Sequence, residues 1–127
     1  MAETARKRPK YLNLIKIKLP IAGIASILHR VSGVGIFLML PLLVWLFELS
    51  LRSPESFQEL QAVITHPVLK LILIGLLWAL LHHFCMGIRI LLIDMHIGVD
   101  KLQASASAKM VLAVSLPLTL ILGAKLW

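Results

Sequence analysis

A chain of 127 residues with 59% hydrophobic and 15% charged side chains is too short and too apolar for a soluble domain, which is roughly half apolar and a quarter charged. Its formal net charge of +7 flanks long apolar stretches, which points to membrane orientation and away from nucleic acid. The one cysteine, Cys85, excludes an intrachain disulfide and reads as a small buried packing residue.

The chain opens on a basic segment, 1–21, carrying Arg6, Lys7, Arg8, Lys10, Lys16 and Lys18. It does not read as a cleaved signal: the apolar stretch that follows is interrupted by His29 and Arg30, without a small-residue cleavage site, so the N-terminus is expected to be retained. A first transmembrane helix is predicted over 22–48. A loop over 49–66 follows. Within it Ser53-Pro54 reads as a capping hydroxyl before a first-turn proline, with Glu55 at the positive helix end. Phe57, Leu60 and Ile64 then recur at helical spacing, predicting a short amphipathic helix on the membrane surface. His66-Pro67 leads into a second transmembrane helix over 67–92. A loop over 93–106 and a third transmembrane helix over 107–127 complete the chain.

Each apolar region reaches the ~20 residues needed to cross a ~30 Å hydrocarbon core once its flanks are counted. The runs are continuously apolar, so strands are excluded. The fold class is therefore an all-α membrane protein with three transmembrane helices. Pro41 and Pro117 fall inside helices and are expected to kink them.

Lys and Arg counts near the span ends set direction. The N-terminal segment and the second loop share a side that holds Arg6, Lys7, Arg8, Lys10, Lys16, Lys18, Arg30, Arg89, Lys101 and Lys109, ten in all; Arg52, Lys70 and Lys125 make three on the other. The N-terminus is expected to be cytoplasmic and the C-terminus on the opposite side.

Two polar groups interrupt the apolar runs. Arg at the centre of a span costs about 2.5–3.5 kcal/mol, so such residues call for a reason. Ser26 and Arg30 are four apart and share a helix face, extended by the small residues Ala22 and Gly33. With His29 beside them they make a cleft able to hydrogen-bond a carbonyl or carboxylate; the plainer alternative is that Arg30 snorkels to headgroups. The second group is His82-His83, followed by Gly87, Arg89 and Asp94. Adjacent helical residues point about 100° apart, so the two histidines cannot serve one site. His83 shares a face with Gly87, against which a flat ligand can lie. A neutral imidazole near mid-membrane wants a metal or a hydrogen-bond partner. Only one histidine has the depth and neighbours for axial ligation of a haem, so a second ligand would come from another chain.

Arg8-Pro9, Leu12 and Ser26-Ile27-Leu28-His29-Arg30-Val31-Ser32-Gly33, followed by His83-x-x-x-Gly87-Ile88-Arg89 and Asp94, resemble the two signatures of the succinate dehydrogenase cytochrome b subunit, of bacterial type. The resemblance covers almost the whole chain and carries several implications. His83 would be one axial iron ligand of a haem b shared with a second membrane-anchor subunit. Ser26, Ile27 and Arg30 would line the pocket for ubiquinone, the substrate. His29 and Arg30 would approach the haem propionates. An iron–sulfur subunit and a flavoprotein subunit, holding the iron–sulfur clusters and FAD, would dock on the cytoplasmic face of a bacterial inner membrane. The chain would be part of a heteromeric helical bundle and catalyse nothing unaided. Two positions depart from the pattern or compete with it: Ile90 stands where relatives often have His or Phe, and His82 is a rival ligand. Asp94 is expected to cap a helix, with a proton-delivery role as the alternative; His66 and His96 lie in loops. A haem-free fumarate reductase anchor and a structural or channel-type membrane subunit are the alternatives.

Overall fold

A computed structural model describes Tyr11, Asn13 and residues 15–127, the Leu126 side chain excepted. The basic residues Arg6, Lys7, Arg8 and Lys10, and the Arg8-Pro9 and Leu12 positions of the resemblance, lie outside the described residues.

Four α-helices follow in order: α1 (Ile21–Arg52), α2 (Pro54–Ile64), α3 (Pro67–Asp94) and α4 (Lys101–Gly123), closed by a 3₁₀ turn, Ala124–Leu126. No strand occurs among the described residues. Helices α1, α3 and α4 are each long and apolar enough to cross a membrane; the protein is a multi-pass membrane protein. Their large apolar residues face outward, among them Val31, Phe37, Leu38, Phe84 and Leu120. A lipid solvent makes that arrangement stable where water would not.

The spanning helices pack as a bundle in which α3 touches both neighbours and α1 also meets α4. Small residues let the backbones approach. Ala25 of α1 and Ala108 of α4 are fully buried against Met86 of α3 and Val111, with Ile21, Ala22, Cys85 and Ile90 packed around them. The half-buried Cys85 is a packing residue. This core sits where the start of α1, the end of α3 and the start of α4 converge. Toward the other end, Ser115, Thr119 and Gly123 continue the buried face of α4; a Cβ on Gly123 would meet Ile74 at 3.5 Å.

Helix α4 starts at Lys101, earlier than the apolar window at 107 implies. Its first turns carry Ala104, Ser107 and Ala108, whose small side chains admit the buried Arg89 of α3. Arg89 donates through Nε to Ser107 Oγ (2.9 Å) and through Nη2 to the Ala104 carbonyl (3.0 Å). Thus Arg89 is 8% exposed and points into the bundle.

The turns follow local chemistry. Ser53 caps α2 through a reciprocal pair with Ser56, whose hydroxyl also donates to the Leu49 carbonyl at 2.8 Å. That bond folds α2 back on the end of α1. Glu48 and Arg52 pair on the exposed last turn of α1. Helix α3 ends in a Schellman arrangement: Ile97 N–H donates to Leu92 C=O and His96 N–H to Ile93 C=O, each at 2.9 Å. His96 takes a left-handed φ of 61° there, the position usually given to glycine. The expected cap role for Asp94 is not what its place allows. It is exposed in the last turn of α3, where a carboxylate opposes the helix dipole. At the far end Lys70 lies over the Trp127 ring, 5.0 Å from its centroid.

Candidate functional site

Helices α1 and α3 run antiparallel, and where their buried faces meet they bring His29, Ser32 and Gly33 against His83. Ser26, Ile27, His29 and Arg30 occupy the first three turns of α1, and His83 lies eleven residues before the end of α3 at Asp94. At 1.5 Å per residue that is about 16 Å along α3. Arg30, nine residues into α1, lies about 14 Å along its own axis, so the two reach a similar level in the bundle.

The His29 and His83 rings stack, with centroids 4.1 Å apart and planes 17° off parallel. His83 Nδ1 is 3.1 Å from the His29 carbonyl oxygen and 3.2 Å from Ser32 Oγ. The Ser32 hydroxyl in turn donates to that same carbonyl at 2.8 Å. These contacts fix the tautomer. A carbonyl only accepts, and the serine's one hydrogen is already engaged, so both groups facing Nδ1 are acceptors. The proton therefore sits on Nδ1, and Nε2 keeps a lone pair. Among the described residues Nε2 has no hydrogen-bond partner. One turn on, a Cβ on Gly87 would meet nothing within 4 Å, so open space adjoins the His83 face.

This donor set fits a haem iron. Histidines that bind metals characteristically donate their second ring N–H to a carbonyl or carboxylate, which orients the ring and raises ligand basicity. His83 has that bond, a free Nε2 and room beside it.

His82 has the opposite surroundings. It is 0% exposed, enclosed by this chain's own helices, its ring 5.3 Å from that of Trp78. Neither ring nitrogen has a hydrogen-bond partner among the described residues; the Ala25 carbonyl approaches without meeting hydrogen-bond geometry. A flat macrocycle has no access there.

The remaining site residues face outward or sideways. Ser26 and His29 are half-buried, while Arg30 and Ile27 are exposed. Ser26 and Arg30 share a face of the continuous helix, and among the described residues neither side chain forms a hydrogen bond. A ligand held by them would lie on an open face of this chain. An apolar groove of about 430 Å³ runs along α1 and α3, with Ser32, Gly35, Gly75 and Ala79 among its lining residues. Ser32 was visible in sequence only as part of a motif, and Gly33 as part of the same motif and as a small residue extending the Ser26–Arg30 face. Their contact with His83 depends on the α1–α3 register, which a single chain's periodicity does not disclose.

Residues 4–122 match the family described as succinate dehydrogenase/fumarate reductase transmembrane subunit. The chain is similar to proteins named succinate dehydrogenase cytochrome b556 subunit. The one from Coxiella burnetii is 35% identical over 122 residues, covering 95% of this chain and 98% of the relative. That from Paracoccus denitrificans is 31% identical over 122 residues, covering 95% and 94%. That from Rickettsia felis is 32% identical over 120 residues, covering 94% of each.

Proposed function

Because the chain belongs to the family of succinate dehydrogenase and fumarate reductase transmembrane subunits, we propose that it is the cytochrome b anchor through which succinate oxidation is coupled to quinone reduction. A haem b bound here would supply a one-electron store within the membrane. His83 would hold its iron through Nε2, and a second membrane-anchor subunit would provide the opposite ligand. What supports His83 over His82 is a single observation: the His83 Nδ1 proton is engaged by the His29 carbonyl, while His82 is enclosed with no free approach. His29 and Arg30 would offset the propionate charges.

Ser26, Ile27 and Arg30 form the proposed quinone contact. The Ser26 hydroxyl donates to a quinone oxygen, the Arg30 guanidinium stabilises negative charge growing on it, and Ile27 flanks the ring. Protons reach that oxygen from the cytoplasmic side, where the N-terminus lies in this reading. Soluble iron–sulfur and flavoprotein subunits dock on the same side.

A reduced-minus-oxidised spectrum of the purified complex tests the haem assignment. His83→Ala is expected to abolish the b-type signal, whereas His82→Ala retains it. Persistence of the signal in His83→Ala would move the ligand elsewhere, and a haem-less wild-type complex would favour a haem-free fumarate reductase anchor. Ser26→Ala and Arg30→Leu are expected to cut succinate–quinone activity by about 10²-fold or more with haem retained. Unchanged quinone kinetics in both would remove the quinone assignment.

A further inference from the structure

The geometry assigns Ser32 and Gly33 as positioning residues that seat the His83 ring and hold its Nε2 toward iron; this rests on reading His83 as the axial ligand. Two observations carry it. First, a Cβ on Gly33 would stand 2.9 Å from His83 Cε1, 3.3 Å from Nδ1 and 3.9 Å from Nε2. The ring thus occupies space that any other residue at 33 would take, and a methyl there pushes it off its stacked position against His29. Second, Ser32 is 5% exposed, and its oxygen faces Nδ1 while its hydrogen is engaged by the His29 carbonyl. The hydroxyl thereby does two things. It adds a second acceptor to the Nδ1 proton, and it binds the carbonyl that supplies the first. Rotation of the ring about its outer bond breaks both contacts to Nδ1 together, so the seat fixes orientation as well as tautomer. Ligand basicity and ring orientation are the two quantities by which such contacts tune a metal.

The test uses the assembled four-subunit complex and reads the haem directly, by haem content, by the low-temperature EPR gmax of the oxidised form and by the midpoint potential. Gly33→Ala is expected to lose haem or to shift gmax and midpoint strongly. Gly35→Ala is the control on the same helix, since a Cβ at Gly35 meets nothing within 4 Å; it is expected to keep the wild-type signal. Ser32→Ala is expected to retain haem with gmax and midpoint both displaced, and Ser32→Thr, which keeps the hydroxyl, to restore them. Wild-type haem content, gmax and midpoint in both Gly33→Ala and Ser32→Ala overturn the seat while leaving the ligand in place. A wild-type haem signal in His83→Ala overturns the ligand itself. Should Gly33→Ala fail to assemble, the comparison of Ser32→Ala with Ser32→Thr decides: equal displacement in the two overturns the seat.

Discussion

Two adjacent histidines meet opposite surroundings because successive helical positions point about 100° apart. His83 turns toward α1, where a carbonyl and a hydroxyl await its Nδ1. His82 turns into the bundle, where its nitrogens, like Trp78 Nε1 and Ser115 Oγ, have no hydrogen-bond partner among the described residues. The antiparallel register given by Arg89–Ser107 and Ile74–Gly123 sets Ser115 opposite His82. An unpaired buried polar group costs about 1–3 kcal/mol, so replacing it by an apolar side chain of similar size removes that cost. His82→Leu is expected to raise the thermal midpoint of the purified complex by the equivalent of about 1 kcal/mol, with the haem spectrum unchanged. A lowered midpoint would show that His82 has a partner in the assembly. The shared helix face of His83 and Gly87, and that of Ser26 and Arg30, were legible in the sequence as four-residue spacings. The enclosure of His82 was not, because it depends on which residues of α4 lie across from it.

The helices themselves were largely legible, since three long apolar runs and a Ser-Pro cap admit few alternatives. Their ends were less so. Hydropathy marks where lipid must be met, whereas hydrogen bonding and packing decide where a helix stops. Helix α4 therefore begins at Lys101, extended by small residues that pack over Arg89. Helix α3 stops because the chain turns left-handed at His96. His96 had no part in the sequence reading, and its backbone gives it one. A non-glycine residue in this region is strained by about 1–2 kcal/mol, and glycine is the usual occupant of that place in the motif. His96→Gly is expected to stabilise the complex by about 0.5–1 kcal/mol, read as a rise in thermal midpoint. A fall would mean that the imidazole makes a contact in the complex that offsets the strain.

At the scale of the molecule, three helices are tied together at one end of the bundle. The start of α1, the end of α3 and the start of α4 converge there around Ala25, Met86 and Ala108, and Arg89 joins two of them. Arg89, one of the ten cations on the N-terminal side, is used by the bundle as a staple. Arg89→Ala removes two charged hydrogen bonds and leaves the Ala104 carbonyl and Ser107 without that donor, so it is expected to destabilise the complex by about 2 kcal/mol or more. Arg89→Lys, which lacks the forked donors, should recover only part of that loss. Equal midpoints for wild type and Arg89→Ala would leave the staple without energetic weight.

The turn between α3 and α4 spans only residues 95–100, which even fully stretched reach about 20 Å. The two helices thus cannot drift apart in the bilayer once made. They behave as a hairpin in lipid. Helices α1 and α3, which carry His29 and His83, both precede α4 in the chain, so a ribosome makes the two halves of the His29–His83 contact before it completes that hairpin.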